Sequence, residues 1–406
     1  MPEIVDNEVL QVSEHVQWIG VLDPGLVTFD VVMETRYGTT YNSYFINAVK
    51  KTVVETVKAK FWPVFLEKIK KVTDPAEIEY IVLNHTEPDH SGSLGQLLNL
   101  APRAKVVGSG NAIRYLKDQL GFEFSNIIVK DGHELDLGNL TLRFIGAPNL
   151  HWPDSMYTYL QCDRVLFTCD SFGAHYCRKE MFDDRVGDFT EAYRYYFDVI
   201  MKPYSRFMIQ AIEKIRPLEI QSICPGHGAI LRTDWKKYVD LAESYARDAL
   251  GYPKSNKVLI AYVSAYQNTG IIAGLISDGL KSAGDIEVDL VDIEQFDANT
   301  LEQKLIESSG LILGSPTFNQ NILMPVYQVF GLVNPIRDRN KLAGAFGSYG
   351  WSGEASNIIN SGLKALKFDL FDEGLMVKFT PHEKATEQCI DYGRRFGLKL
   401  LEKSNP

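Results

Sequence analysis

The chain has 406 residues, 45% of them hydrophobic and 23% charged, with a formal net charge of −10. This is an ordinary globular composition, long enough for two cores, and its acidity argues against nucleic acid or an anionic membrane as the main partner. No apolar stretch approaches the length of a membrane span. The start, Met1-Pro2-Glu3-Ile4-Val5-Asp6, lacks the basic and apolar regions of a secretory signal. The five cysteines, Cys162, Cys169, Cys177, Cys224 and Cys389, include no C-x-x-C pair. That disfavours a rubredoxin-like iron site or redox dithiol, and free thiols suit a cytoplasmic location.

In chain order, strands are expected over 39–47, 79–83, 104–107 and 140–145, and helices over 62–71 and 91–100. Residues 132–138 have the composition of a hairpin turn, and the polar-aromatic stretch 188–215 is expected to be helical. Glycine, proline and small polar residues at 251–256, after a helix ending near Ala249, mark a linker. Domains of 1–252 and 256–406 follow. Beyond the linker, strands at 258–263, 286–291, 310–313 and 342–346 alternate with helices at 271–283, 300–307, 324–332 and 355–366. Such alternation implies a doubly wound parallel sheet.

The first half carries His85-Thr86-Glu87-Pro88-Asp89-His90 straight after an apolar run. Two imidazoles and two carboxylates so close together are costly to bury unless a cation neutralises them. His151, Asp170 and His227 also lie where an apolar run gives way to a turn, so a fold gathering strand ends at one rim would unite all seven. Seven such ligands are too many for one tetrahedral ion and suit two metals sharing a bridging carboxylate. The other histidines have weaker claims. His15 and His382 are expected at the surface, His133 in a turn, and His175 in a structural role. Tyr193, Tyr195, Tyr196 and Phe197 are expected mainly in core packing or an interface.

In the second half, ligands should bind on the loops beyond the carboxyl ends of the strands. Ser264, Ala265, Tyr266, Gln267, Asn268 and Thr269 offer hydroxyls and amides at a helix start, suited to a phosphate. Ser315, Pro316, Thr317, Phe318 and Asn319 form a second loop, and Gly347, Ser348, Tyr349, Gly350 and Trp351 a third. Both bring polar groups and aromatic faces that could hold a flat ring. With neither a phosphate-loop lysine nor a G-x-G-x-x-G pattern, FMN fits better than ATP or NAD.

With these motifs in place, the whole chain resembles the flavodiiron proteins, or A-type flavoproteins. The resemblance rests on the H-x-E-x-D-H run followed by His151, Asp170 and His227. It implies an N-terminal metallo-β-lactamase-like αββα domain with two non-haem irons, and a C-terminal flavodoxin-like domain with FMN. It implies that His85, Glu87 and His151 hold one iron, that Asp89, His90 and His227 hold the other, and that Asp170 bridges them. No catalytic group is expected beyond these ligands. Hydrolytic relatives usually have histidine where this chain has Glu87. The chain departs from the usual flavodoxin T-x-T-G-x-T pattern at Tyr266 and Gln267, and has Asp30 where some members carry a histidine. The resemblance further implies reduction of dioxygen to water, or alternatively of nitric oxide to nitrous oxide. Electrons would come from an external donor, rubredoxin or a reduced deazaflavin, and a head-to-tail homodimer or dimer of dimers would bring one subunit's flavin to the other's irons. Two other classes are a zinc hydrolase on the same N-terminal fold, and an electron carrier whose N-terminal half only docks.

Overall fold

The computed structural model describes residues 8–29, 33–251 and 256–404. Asp30 and most of the expected linker lie outside the described residues. The chain divides into two compact units, Met1–Asp248 and Ala249–Pro406. No helix among the described residues is long and apolar enough to cross a membrane.

The first unit contains two large sheets. One runs in the spatial order Leu10–Gln11, Val16–Trp18, Tyr44–Ile46, Lys51–Val54, Ile78–Val82, Lys105–Gly108, Asn126–Ile128. The other runs Glu134–Asp136, Thr141–Gly146, Met156–Leu160, Val165–Cys169, Ser222–Pro225. Alternation along the strands sends side chains to opposite faces. Val54, Val82 and Val107 of the first sheet pack with Phe144, Leu160 and Phe167 of the second in one buried cluster. Their neighbours Val53, Ile81 and Val106 join Phe65, Leu97 and Leu116 of the outer helices, while Leu166 and Ile223 join Met208 and Ile212. The layers are helix, sheet, sheet, helix. Lys51–Val54, Ile78–Val82 and Lys105–Gly108 are parallel, as are Val165–Cys169 and Ser222–Pro225. Parallel neighbours end at the same edge of their sheet, which is how distant segments of the sequence reach one site.

The second unit is a parallel sheet in the order Glu287–Asp292, Lys257–Tyr262, Gly310–Gly314, Leu342–Tyr349, Asp369–Leu370, with Leu375–Lys378 also paired to Leu342–Tyr349. This is the flavodoxin-like order, with the change of winding direction beside the first strand.

Several expected elements differ. The strand expected over 39–47 is two, Thr39–Tyr41 and Tyr44–Ile46, because they pair in different sheets, with Val21–Asp23 and Val16–Trp18. Residues 132–138 are not a simple turn: Glu134–Asp136 is the edge strand of the second sheet, and the reversal is carried by the Leu137 amide donating to the Leu140 carbonyl at 2.8 Å. The helix expected over 91–100 is Pro88–Ser91 and then Leu94–Leu100, broken at Gly92-Ser93. The stretch expected to be helical over 188–215 is so from Thr190 to Ile215, but it changes type within: α-helices Thr190–Tyr196 and Ser205–Ile215 are joined by a π turn, Phe197–Met201, and a 3-10 turn containing Pro203, which lacks the amide to continue an α-helix. Helix Glu383–Ser404, unassigned from sequence, packs on Asn268–Ser282.

Those two helices approach closely at glycine. A Cβ at Gly393 would lie 3.0 Å from Leu280 N, and one at Gly279 would lie 2.9 Å from Arg394 N. Gly393→Ala should therefore cost the second unit about 1–3 kcal/mol by overpacking. Denaturant melts monitored separately for the two units check this, with the first unit unchanged.

Candidate functional site

The strand Ile78–Val82 is followed by two anchored residues. The Leu83 amide donates to the Val107 carbonyl, and the Asn84 amide to Glu55 Oε1, each at 2.9 Å. After His85 comes the one-turn helix Pro88–Ser91, capped by Glu87, with proline in its first position, where an N–H would have no helical partner. His151 lies between strands Thr141–Gly146 and Met156–Leu160. Asp170 and His227 directly follow, or nearly follow, the parallel strands Val165–Cys169 and Ser222–Pro225.

All seven side chains converge. His85 Nε2 is 3.2 Å from Glu87 Oε2 and 3.6 Å from Asp170 Oδ2. His151 Nε2 is 3.0 Å and 3.3 Å from the same two oxygens. The other oxygen of Asp170, Oδ1, is 3.0 Å from His90 Nε2 and 3.5 Å from His227 Nε2. Those two imidazoles also face Asp89 Oδ2, at 3.4 Å and 3.1 Å. His85, Glu87, His151 and Asp170 form one group of potential metal ligands, and Asp89, His90 and His227 another. One carboxylate thus presents a different oxygen to each pair of imidazoles.

The electrostatics are those of a cation site. Burial opposes charge on His85, but Asp154, Glu87 and Asp170 outweigh it and raise the imidazole to about 10. Against the same burial, Asp89 and Asp170 raise His90 to about 10, and Asp170 and Glu87 raise His151 to about 10. Burial alone would push Glu87 and Asp170 up, yet the imidazoles hold both well below the usual carboxylate range. A divalent ion would take the place of the protons that this arrangement attracts. Both oxygens of Asp89, Oδ1 of Asp170 and both ring nitrogens of His90 are buried without a hydrogen bond among the described residues, a costly state that coordination would relieve. Imidazole and carboxylate, without thiolate in either group, suit iron, zinc or manganese. The donor set fits two metal ions.

Other residues orient these groups. Fully buried Asp154 places Oδ1 3.3 Å from His85 Nδ1, while Oδ2 accepts from the Thr86 amide and hydroxyl, both at 2.8 Å. His227 Nδ1 donates to the Thr40 carbonyl at 2.6 Å. Gly226 leaves room for His90, since a Cβ there would lie 2.7 Å from His90 Cε1. Asp154 carries a sequence signal, being a carboxylate three residues beyond His151. Thr40 acts through its backbone and carries none.

Of the other histidines, His15 is half-buried and paired with Asp163 at 2.7 Å, and His133 and His382 are exposed. His175 is buried against the site, with its ring centroid 5.0 Å from His227 and 4.9 Å from Tyr196. Tyr193, Tyr196 and Phe197 are buried, whereas Tyr195 is exposed.

In the second unit, the three expected loops lie at the carboxyl ends of Lys257–Tyr262, Gly310–Gly314 and Leu342–Tyr349. Asn268 and Thr269 form the first turn of helix Asn268–Ser282 rather than a loop. Amides in a first turn have no helical acceptor and can receive a phosphate. Gln267 has φ 65°, so this chain adopts with glutamine the left-handed conformation that glycine would take most easily. Gly347, Ser348 and Tyr349 belong to the strand Leu342–Tyr349, because they pair with Leu375–Lys378. Ser348 Oγ meets Thr269 Oγ1 at 2.9 Å, and the Ser348 carbonyl accepts the Thr317 amide at 2.8 Å, bracing all three segments together. Ser315 is buried, its hydroxyl donating to the Pro316 carbonyl and accepting from the Leu323 amide. Ser264, Pro316, Tyr349 and Gly350 are partly exposed, and Ala265 and Asn319 exposed. Tyr266 at 80%, Trp351 at 76%, Phe379 at 58% and Phe318 at 47% present aromatic surface. Phe379 was not singled out from sequence. Its amide donates to the Tyr349 carbonyl at 2.8 Å. The amides and aromatic faces fit a phosphate joined to a flat ring, as in FMN.

Comparison with known proteins follows the same division. Residues 39–228 match the ODP family beta lactamase model, and residues 260–393 match the flavodoxin model. The flavo-diiron protein FprA2 of Clostridium acetobutylicum is 37% identical, over 96% of this chain and 99% of its own. A nitric oxide reductase of Moorella thermoacetica is 34% identical, over 98% and 100%. Among solved structures, the rubredoxin oxygen:oxidoreductase of Desulfovibrio gigas superposes with a TM-score of 0.75 at 29% identity, covering 98% of this chain and 100% of that one.

Asp170→Asn should lower bound metal from two ions per chain to one or fewer, measured by elemental analysis of protein whose circular dichroism is unchanged. Trp351→Ala should weaken FMN binding by about 0.5–1.5 kcal/mol. A fluorescence titration giving the parent affinity would remove the indole from the site.

Proposed function

The chain belongs to the flavodiiron proteins, and on that premise we propose that it reduces dioxygen to water at a non-haem diiron centre with electrons relayed through FMN. The observation that carries this is Asp170, with one oxygen toward His85 and His151 and the other toward His90 and His227. His85, Glu87 and His151 would hold one iron, Asp89, His90 and His227 would hold the other, and Asp170 would serve both. Residues 1–252 form the diiron domain and 256–406 the FMN domain, with FMN held by the three segments around Ser264–Thr269, Ser315–Asn319 and Gly347–Trp351. When bound, the irons supply two electrons and reduced FMN two more, matching the four that dioxygen needs to become water.

The chain's own residues prepare the site for a small gas. Glu87, Asp89 and Asp170 supply hard anionic ligands, which favour the more highly charged metal. Burial, with His227 beside it, holds His175 well below its ordinary value and so neutral. Burial likewise pushes the Tyr196 phenol well up, so it keeps its proton. His175 Nε2 and the Tyr196 hydroxyl have no hydrogen-bond partner among the described residues, while His175 Nδ1 is fixed on Thr39 Oγ1 at 2.8 Å. Phe29 packs against His175, with ring centroids 4.3 Å apart. These groups therefore offer neutral polar atoms beside the centre.

Electrons enter from a separate donor. Rubredoxin is supported by the name of the Desulfovibrio gigas neighbour, with a reduced deazaflavin as the alternative. A head-to-tail dimer or dimer of dimers is the assembly that would pair flavin with iron between subunits. The free cysteines agree with a cytoplasmic location. A second reading, nitric oxide reduction, is favoured by the Moorella relative, whose name states that activity.

Anaerobic single turnover of the reduced, iron-loaded protein tests the choice. The expected result is consumption of four electrons per dioxygen without peroxide, and slower turnover of nitric oxide. Clean nitrous oxide formation with sluggish oxygen chemistry would transfer the assignment to nitric oxide. Zinc in place of iron should abolish oxygen uptake, and retained uptake would remove the redox role of the metal.

A further inference from the structure

Three of the four histidines at the centre can be compared through the ring nitrogen that faces away from it. His85 Nδ1 has Asp154 and His227 Nδ1 has the Thr40 carbonyl. His90 turns Nε2 toward Asp170 and Asp89, and its Nδ1 is buried without a hydrogen bond among the described residues. Close by is a carboxylate that the ligand assignment does not use. Glu55 is buried, and among the described residues its Oε2 also lacks a hydrogen bond. A carboxylate oxygen of Glu55, a ring nitrogen of His90 and the sulfur of Cys169 lie within 4.8 Å of one another.

The backbone fixes Glu55 in this place. It directly follows strand Lys51–Val54, which is parallel to Ile78–Val82, so it meets the chain just ahead of His85. Its amide donates to the Val82 carbonyl at 2.9 Å, its carbonyl accepts from Ser43 Oγ at 2.7 Å, and its Oε1 accepts from the Asn84 amide at 2.9 Å. It has φ 61°, an uncommon conformation for a residue with a Cβ. The next residue, Thr56, gives both its amide and its hydroxyl to the His90 carbonyl, at 2.8 Å and 2.6 Å. Glu55-Thr56 thus holds His90 from the backbone side, with a carboxylate oxygen of Glu55 within 4.8 Å of a ring nitrogen of His90.

We propose that Glu55 is the positioning residue for His90, its Oε2 accepting the Nδ1 proton so that Nε2 is turned to the metal. The contact closes directly or through one water. The proposal rests on the diiron reading of the centre. A carboxylate behind a ligating imidazole fixes its tautomer and strengthens it as a donor, and loss of such a partner typically weakens metal binding about 10- to 100-fold. Glu55→Gln keeps the shape but cannot accept from both the Asn84 amide and His90, because one of its two terminal atoms is now a donor. Cys169 is the competing partner for the same nitrogen.

The test is a Co²⁺ titration of the full chain stripped of metal, followed by the visible spectrum of the bound ion and by the melting temperature of the metal-free protein. The parent should take up two ions. Glu55→Gln and Glu55→Asp should bind the first as the parent does and the second about 10- to 100-fold more weakly, with an altered spectrum for that ion and an unchanged metal-free melting temperature. Cys169→Ala should match the parent. Parental affinity for both ions in both Glu55 variants would overturn the proposal, as would the loss appearing in Cys169→Ala instead. Equal weakening of both ions with a lower metal-free melting temperature would also overturn it, making Glu55 a structural residue. A parent binding fewer than two ions would overturn the diiron reading and this inference with it.

Discussion

Everything at the centre depends on gathering like charges where water cannot screen them. Asp89 and Asp170 are almost wholly buried, Glu87 is only slightly exposed, and four imidazoles surround them. Carboxylates packed so closely are tolerable only if positive charge lies between them. The raised imidazoles of His85, His90 and His151 favour such charge, and a metal would supply it instead. Asp170 is the pivot, because moving either of its oxygens would disturb two imidazoles at once.

Much of the first unit serves that gathering. The two parallel pairs of strands bring the turn after Ile78–Val82, the end of Lys51–Val54 and the ends of Val165–Cys169 and Ser222–Pro225 together. The interior of the sandwich is filled by valine, leucine and phenylalanine, so polar side chains concentrate at the rim. There some are tied down by backbone or by a second polar group, as Asp154 is by Thr86 and Asn42 by the Pro225 and Gly228 carbonyls, at 2.9 Å and 3.0 Å. Precision comes from these ties, since loop residues held only by their own chain would be mobile. The second unit reaches a comparable result with less charge, using helix-turn amides, hydroxyls and aromatic faces.

The seven converging residues were legible in the sequence because each stands where an apolar run stops, and one arrangement explains all of them. The alternation of strands and helices after residue 256 was legible for the same kind of reason: periodicity survives without knowledge of partners. What escaped depends on pairing across the chain. Residues 347–349 read as a loop, yet extend a strand because Leu375–Lys378 lies beside them. Residues 134–136 read as a turn, yet pair with Thr141–Gly146. Glu55 stands at a strand end like the ligands, but only the parallel register shows that it reaches His90. The aromatic run at 193–197 splits by helix geometry into buried Tyr193, Tyr196 and Phe197 and exposed Tyr195, which a one-dimensional pattern did not resolve.

The most direct test of the central claim is anomalous diffraction at the iron edge from crystals of the iron-loaded protein. Two iron peaks should appear, one on each side of the Asp170 carboxylate, the first among His85, Glu87 and His151 and the second among Asp89, His90 and His227. A single peak, or iron away from Asp170, would contradict the account.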